Sequence, residues 1–137
     1  VEDITISIEE YARNKGIRLI FDTTVEEARI SCDPDAIERI MLNLLSNAIK
    51  FSNTGDSVYV FLQEEKEQLL IIVEDTGIGI PREEIEKIFE RFMQVDKSFT
   101  RQNEGSGIGL TLVKSLVELH KGSVRVESEL NSGSRFT

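Results

Sequence analysis

Apolar side chains at helical spacing predict a helix at the start of the chain. In EDITISIEEYARNKG, the apolar positions Ile4, Ile8, Tyr11 and Ala12 recur three or four residues apart, and Gly16 is a typical stop. The strand-like segment IRLIFDT follows directly. We therefore expect a helix that packs one face on a core and leads into a strand.

The pair Asp33-Pro34 predicts the start of a second, longer helix. An acidic residue is a favourable N-cap, and proline is favourable at the first helical position. Turn residues in NTGD end this helix. Its apolar stripe comprises Ile37, Ile40, Met41, Leu44, Leu45, Ala48 and Phe51.

Strand patterns and two further helical patterns complete the prediction. SVYVFLQ and QLLIIVED predict a β-hairpin around the acidic tip EEKE, and a short strand is expected around RISC. Helices are predicted for REEIEKIFERF and GIGLTLVKSLVELHKG, and strands for SVRVES and GSRFT. The sum predicts an α+β fold, a two-layer sandwich with helices packed on one face of a mixed, mostly antiparallel sheet.

Composition narrows the classes of partner. The 137 residues carry a formal net charge of -9, which repels nucleic acid and anionic membrane surfaces. The single cysteine, Cys32, excludes an intrachain disulfide and a cysteine-based metal cluster. No apolar run approaches the ~20 residues that span a bilayer. Because the chain begins without methionine and stops within a predicted strand, we expect residues 1–137 to be a single domain cut from a longer protein.

Three polar side chains lie on one edge of the second helix. Asn43, Asn47 and Lys50 are spaced i, i+4 and i+7, beside the apolar stripe. An amide oxygen is a suitable weak ligand for Mg²⁺ when phosphates complete the shell, and lysine can meet a phosphate as a point charge. The alternative is that all three are ordinary boundary residues on a solvated face.

A carboxylate and two glycines follow the most apolar strand. Asp75 comes directly after the buried run, where an ionised carboxylate is costly unless it accepts hydrogen bonds. An adenine amino group would be a suitable donor. Gly77 and Gly79 allow the backbone to approach a flat ring closely. The alternative is a glycine turn with an aspartate cap.

A second glycine cluster opens the last long helix. Gly105, Gly107 and Gly109 in GSGIGL would present backbone amides to a phosphate at a helix N-terminus. The spacing is not that of the dinucleotide fingerprint, and no Gly-Lys-Ser/Thr follows as in a Walker loop. Alone this is a weak signal, but it accompanies the amide edge and the carboxylate–glycine turn in one small domain.

With these motifs in order, the sequence resembles the ATP-binding catalytic domain of sensor histidine kinases. This family belongs to the superfamily of DNA gyrase, the heat-shock chaperone ATPases and the mismatch-repair ATPases, which share the Bergerat-type ATP-binding fold. NLLSNAIKFS is similar to the N-box, DTGIGIP to the G1 box, IFERF to the F-box and GSGIGL to the G2 box. The resemblance covers essentially the whole chain.

The resemblance implies an ATP and Mg²⁺ site. It implies that Asn47 coordinates Mg²⁺, that Asn43 supports the same site or the phosphates, that Lys50 contacts phosphate and that Phe51 lies near the nucleotide. Asp75 would take the adenine amino group, and residues 95–106 would form a lid over the nucleotide. The other implied nucleotide-binding residues are Gly77, Gly79, Gly105, Gly107, Gly109, Leu110 and Ser134.

One position departs from the family pattern. Many members have an arginine after the F-box that reaches the γ-phosphate, and this chain has Gln94 there. Gln94 brings no positive charge, so Arg91, Lys97 and Arg101 are the candidates to replace the arginine, and the alternative is that this contact is missing. Asn43, Lys50 and Arg91 are the candidate catalytic residues. Phe89 and Phe92 of IFERF are expected to anchor the base of the lid to the core.

The reaction implied is transfer of the γ-phosphoryl group of ATP to a histidine in two-component signal transduction. Hydrolysing relatives carry a glutamate four residues before the magnesium-binding asparagine, and here that position is Asn43, which cannot act as a base. The alternatives are an ATP hydrolase of the same superfamily and a degenerate docking domain. The only histidine, His120, is interpreted as a structural residue near a helix C-terminus.

The resemblance also implies partners. The phosphoacceptor histidine is expected on a dimerisation domain of the same parent protein, and a response regulator receiver domain is the expected second partner. We expect neither nucleic acid nor direct membrane contact. The isolated domain is expected to be a cytoplasmic monomer, with membrane anchoring of the parent left open.

Overall fold

The structure is a computed structural model and describes residues 1–28, 30–85, 87–89 and 106–137. The described helices are α1 (Glu2–Asn14), α2 (Pro34–Lys50), α3 (Arg82–Ile85) and α4 (Ser106–Leu119). The described strands are β1 (Arg18–Thr23), β2 (Ser57–Glu65), β3 (Gln68–Asp75), β4 (Val126–Glu129) and β5 (Gly133–Phe136). None of these helices is long and apolar enough to cross a membrane.

The strands form one mixed sheet in the order β1-β2-β3-β5-β4. β1 and β2 run parallel, and the other three neighbouring pairs are antiparallel. β3 is therefore the central strand, and its last residue, Asp75, pairs with Ser134 on β5. The predicted mixed, mostly antiparallel sheet is confirmed.

The core lies between the sheet and the helices. α2 packs against β3 and α4, and α1 packs against β1 and α2. On β2, the buried Val58 and Val60 alternate with Tyr59 and Phe61, which point to the opposite face and stack on each other. The fully buried side chains that join the layers include Met41, Leu45, Ile49, Val58, Val60 and Val73. The two-layer α+β architecture is thus as predicted.

The start of α2 follows from its first residues. Asp33 is the N-cap, and its side chain accepts a hydrogen bond from the backbone N–H of Asp35 at 3.0 Å. Pro34 occupies the first helical position. The cap satisfies a backbone donor that the helix leaves without an internal partner. From here α2 continues without a break to Lys50. The polar edge of the helix therefore extends toward the end of β3.

One predicted strand is wrong. The expected strand around RISC is absent from residues 30–32, where Ile30 is 50% exposed. β1 is an edge strand, but residues 30–32 do not pair with it, and the chain turns after β1 at Thr23, whose side chain bonds the backbone of Val25. A short alternation of apolar and polar side chains does not by itself bring a segment to an available strand edge.

The helix predicted for residues 82–92 is shorter than expected. The described helix spans Arg82–Ile85, residues 87–89 form a turn, and residues 86 and 90–92 lie outside the described residues. The buried Ile88 and the half-buried Phe89 still reach the core, where Phe89 meets Phe136 edge to face. The final strand pair is shifted as well, because β4 spans Val126–Glu129 rather than residues 123–128.

Candidate functional site

The polar edge of α2 lies at the margin of the core. Asn47 is 7% exposed, and its Nδ2 atom is buried without a hydrogen-bond partner. One turn earlier, Asn43 donates from Nδ2 to the carbonyl of Arg39 at 2.8 Å. Lys50 and Phe51 are half-buried at the C-terminal end of the helix. An unpartnered buried amide costs about 1–3 kcal/mol, so Asn47 is the group of this edge that a ligand would satisfy.

The carboxylate predicted at the end of β3 is buried. Asp75 is 5% exposed and accepts a hydrogen bond from the backbone N–H of Gly77 at 2.9 Å. The pKa of Asp75 is raised to about 6, mainly by burial and to a smaller extent by the charges of Asp56 and Glu74, against the lowering effect of backbone hydrogen bonds from Gly77 and Ser134. At neutral pH Asp75 is therefore mostly an ionised acceptor in a poorly solvated place.

The glycines after Asp75 are required by close backbone packing. A Cβ atom on Gly77 would lie 2.1 Å from the backbone oxygen of Phe51, and one on Gly79 would lie 2.1 Å from that of Glu129. Gly79 also has a φ of +74°, which favours glycine. The loop is bonded to its surroundings between these glycines, since Ile78 N–H donates to Phe51 and Ile78 O accepts from Asn131 N–H.

The second glycine segment meets α2 at Asn43. A Cβ atom on Gly109 would lie 2.7 Å from Asn43 Oδ1, so the absence of a side chain lets α4 approach the amide edge. Gly107 lies in the first turn of α4, and Leu110 is buried in the core. Gly105 lies outside the described residues, as do Arg91, Phe92, Gln94, Lys97, Arg101 and the lid predicted before Ser106.

The two glycine segments are thus joined by one helix. The segment DTGIGIP, here called the G1 segment, contacts Phe51 directly after α2. The segment GSGIGL, here called the G2 segment, contacts α2 at Asn43, eight residues earlier. Eight residues of α-helix span about 12 Å. Asn47 lies between these two contact points. The predicted site residues that the structure describes on α2 and in the two segments therefore belong to one continuous region.

A row of polar side chains crosses three strands beside Asp75. Ser134 is opposite Asp75, and Ser128 is opposite Ser134. Ser134 is 7% exposed, and its Oγ lies 2.9 Å from Ser128 Oγ. Ser128 also accepts from the backbone N–H of Ile80 at 2.7 Å and donates to the carbonyl of Gly133 at 2.8 Å.

Ser128 and Gly133 are the residues that the sequence analysis missed. A Cβ atom on Gly133 would lie 1.9 Å from the backbone oxygen of Asp75, so this glycine allows β5 to close on β3. The turn letters NSG before Ser134 were an available signal for it. Ser128 gave no signal, because its contacts with Ile80, Gly133 and Ser134 depend on loop closure and strand pairing rather than on a local pattern.

A cavity of about 300 Å³ opens at this end of the sheet. Its lining includes Asp75, Ser128, Gly133 and Ser134, together with the carboxylates of Glu74, Glu127 and Glu129. The volume is at the lower limit for small-molecule pockets. Arg135 also lines the cavity, so charges of both signs surround it.

His120 is held by hydrogen bonds at both ring nitrogens. Its Nδ1 lies 2.7 Å from the carbonyl of Leu116, and its Nε2 accepts from the backbone N–H of Asp33 at 3.0 Å. Since a carbonyl can only accept, the ring proton belongs on Nδ1. The structural interpretation of His120 fits this geometry, although its contacts are hydrogen bonds between α4 and the start of α2.

Comparison with known proteins agrees with this architecture. The family described as histidine kinase-, DNA gyrase B-, and HSP90-like ATPase matches residues 32–137. The circadian input-output histidine kinase CikA of Synechococcus elongatus is 40% identical over 134 residues, covering 96% of this chain and 18% of CikA. The autoinducer 2 sensor kinase/phosphatase LuxQ of Vibrio cholerae is 45% identical over 127 residues, covering 89% of this chain and 15% of LuxQ.

Solved structures show the same fold. The catalytic domain of histidine kinase ThkA superposes with a TM-score of 0.84 at 26% identity, covering 98% of this chain and 85% of that one. Full-length ShkA in complex with AMPPNP gives a TM-score of 0.84 at 28% identity, covering 98% of this chain and 27% of ShkA. The chain therefore belongs to the histidine kinase-, DNA gyrase B- and HSP90-like ATPase family, as an ATP-binding catalytic domain of the histidine kinase type.

Proposed function

We propose that this domain binds Mg²⁺-ATP and donates the γ-phosphoryl group to a histidine on a separate dimerisation domain. One observation carries the proposal: the buried Asp75 carboxylate and the unpartnered Asn47 amide belong to segments joined along α2. The first accepts hydrogen bonds at the G1 segment, and the second is an unsatisfied amide between the G1 and G2 segments. A purine triphosphate with its metal would supply a hydrogen-bond donor to Asp75 and a polar partner to Asn47.

The base is proposed to bind at the Asp75 end. Asp75 is an ionised acceptor at neutral pH and already receives the Gly77 N–H. Its remaining acceptor capacity suits the amino group of adenine, whereas the carbonyl oxygen of guanine would leave it unpaired.

The phosphates and the metal are proposed to bind at the Asn47 end. Among the residues that the structure describes, no group of three His, Cys, Asp or Glu could hold a metal ion. A metal bound here would need ligand phosphates and water to complete its shell, which is how Mg²⁺ is usually bound. Asn47 is proposed to bind the metal through its side-chain oxygen, while its unpartnered Nδ2 atom would donate to a phosphate oxygen. When bound, Mg²⁺ would neutralise the negative charge that develops during transfer.

Asn43 distinguishes transfer from hydrolysis. Its amide donates to Arg39 and packs against Gly109, and it has no group that can take a proton from water at neutral pH. Catalysis would rest on positioning the γ-phosphoryl group rather than on a base in this domain. His120 is engaged at both nitrogens, which favours an acceptor histidine outside this chain.

The parent protein is proposed to supply the acceptor. The chain spans less than a fifth of CikA and of LuxQ, so a dimerisation domain and a response regulator receiver domain belong to the proposal only. We expect the isolated domain to be a monomer that binds ATP without phosphorylating itself.

Binding of ATP with and without Mg²⁺ tests the proposal. Wild type should saturate with ATP, and Mg²⁺ should increase the affinity. Asp75→Asn should weaken binding in both conditions, whereas Asn47→Asp should change mainly the Mg²⁺-dependent part. Ser7→Ala is a matched control, because the Ser7 hydroxyl bonds only within α1, to the carbonyl of Ile4.

Two results would reject the proposal. Absence of saturable ATP binding by folded wild type would favour a degenerate docking domain. Appreciable steady hydrolysis by the isolated domain would favour the hydrolase alternative, and the role assigned to Asn43 would then be wrong.

A further inference from the structure

The loop from Gly77 to Ile80 is bonded at both ends to one row of polar groups. Gly77 N–H donates to Asp75 at 2.9 Å, and Ile80 N–H donates to Ser128 Oγ at 2.7 Å. Asp75, Ser134 and Ser128 are opposite one another on β3, β5 and β4. Ser128 is therefore the far anchor of the loop that covers the base end of the site.

Ser128 also holds the neighbouring hydroxyl. Its Oγ contacts Ser134 Oγ at 2.9 Å and donates to the carbonyl of Gly133 at 2.8 Å. Gly133 packs against the backbone of Asp75, and Ser134 donates its backbone N–H to the Asp75 carboxylate. The Ser128 hydroxyl therefore contacts the loop at Ile80 and also contacts Gly133 and Ser134, the two residues of β5 that lie against Asp75.

We propose that Ser128 is a positioning residue that sets how strongly the site prefers a purine with a 6-amino group. The proposal rests on the proposed function, because it assumes that Asp75 receives that amino group. Asp75 recognises the base only if loop and strand hold it at hydrogen-bond distance. Without the Ser128 hydroxyl, the Ile80 N–H loses this acceptor and the Gly133 carbonyl loses this donor, so the loop keeps the Asn131–Ile78 hydrogen bond but is held less firmly at Ile80.

The location of Ser128 supports a role in base recognition rather than in general stability. It lies in a short strand at the edge of the sheet and is only half-buried. Its loss should therefore disturb the loop and the hydroxyl row more than the core.

A comparison of two ligands on two proteins isolates this role. ATP and purine riboside triphosphate, which lacks the 6-amino group, would be titrated against wild type and Ser128→Ala. Wild type should prefer ATP by about tenfold or more, as expected for a hydrogen bond to a charged group. Ser128→Ala should reduce the preference to about threefold or less, mainly by weakening ATP binding.

Two variants that are nearly isosteric with each other provide a second test if Ser128→Ala folds poorly. Ser128→Thr keeps the hydroxyl and should retain the preference for ATP, while Ser128→Val removes it and should lose the preference. Both side chains are favourable in a strand. Ser7→Ala again controls for loss of a hydroxyl elsewhere.

The outcomes separate this inference from the proposed function. Equal weakening of both ligands in Ser128→Ala, with the preference unchanged, would show a purely structural role and overturn the inference alone. The inference would also be overturned if Ser128→Val kept the preference as well as Ser128→Thr does. If wild type failed to bind ATP or showed no preference for the amino group, the proposed function of Asp75 would fail and this inference with it.

Discussion

Asp75 shows how a single residue can be kept at a cost to stability. Its carboxylate is 5% exposed, and the hydrogen bonds from Gly77 and Ser134 only partly offset the loss of water. A folded protein with no use for this charge would be more stable with a neutral side chain here. The raised pKa of Asp75 therefore supports a binding role, since perturbed groups cluster at functional sites.

The pH dependence of stability should reveal this cost. The pKa of Asp75 rises from 3.8 to about 6 on folding, so between these values the native state binds more protons than the unfolded state. The Asp75 contribution to the free energy of unfolding should therefore fall by about 3 kcal/mol as pH rises from below 4 to above 6.

The comparison of wild type with Asp75→Asn isolates this contribution from the other carboxylates. The two proteins should be similarly stable near pH 4, and the variant should become the more stable as pH rises through the window. The chain lacks tryptophan, so urea unfolding would be followed by circular dichroism. A difference that stays constant from pH 4 to 8 would contradict the buried, uncompensated charge.

Two glycines at the site should respond differently to alanine. In Gly77→Ala the added Cβ would meet the Phe51 backbone 2.1 Å away, and the Ile78–Phe51 hydrogen bond would be lost. We expect the free energy of unfolding to fall by roughly 2 kcal/mol or more. In Gly109→Ala the obstacle is the end of the Asn43 side chain, which can move, and alanine improves helix propensity by about 1 kcal/mol.

Gly109→Ala should therefore keep near-normal stability while weakening ATP binding, because Asn43 is displaced. Urea unfolding and ATP titration of both variants measure the two effects. If Gly109→Ala bound ATP like wild type, Gly109 would matter for helix packing and not for the site.

At the scale of elements, α2 is the clearest case in which sequence and structure agree. The Asp33-Pro34 start, the apolar stripe and the polar edge are all local patterns, and the helix spans Pro34–Lys50. Local pattern failed where pairing decides the outcome. The RISC segment alternates like a strand, but residues 30–32 do not pair with the edge strand β1.

His120 connects two elements and should contribute to their packing. It bonds Leu116 within α4 and the N–H of Asp33 before α2. His120→Ala should lower the free energy of unfolding by about 1 kcal/mol and leave ATP affinity unchanged. Urea unfolding and ATP titration would measure both, with His120→Gln as the variant that can keep one hydrogen bond. A large loss of ATP affinity would show that His120 acts at the site.

The hairpin tip offers a stabilising change remote from the site. Lys66 and Glu67 both have positive φ, with values of 49° and 65°, in the two-residue turn between β2 and β3. Such turns favour Asn-Gly, and residues with a Cβ are strained there. The double variant Lys66→Asn with Glu67→Gly should raise the free energy of unfolding by about 1 kcal/mol, measured by urea unfolding. Reversal of the two substitutions, Lys66→Gly with Glu67→Asn, is the matched control and should gain less.

At the scale of the whole molecule, the sequence predicted the fold class but not the contacts that join its elements. Asn47 and Asp75 were predicted because each stands out against an apolar pattern. Ser128 was missed because its hydroxyl has meaning only through Ile80, Gly133 and Ser134, which contact it through sheet pairing and loop closure. Long-range contacts of this kind leave no periodicity in the sequence.

The whole-molecule prediction is that binding and transfer can be separated. Incubated with Mg²⁺ and ATP labelled at the γ-phosphate, this chain should bind the nucleotide and remain unlabelled, because His120 is its only histidine and both ring nitrogens are engaged. Addition of the parent's dimerisation domain should place the label on that domain, as an acid-labile phosphohistidine. Asp75→Asn should reduce transfer in parallel with ATP affinity, whereas His120→Gln should leave it unchanged. Label on this chain that disappears in His120→Gln would contradict the separation, since the acceptor would then lie within the catalytic domain itself.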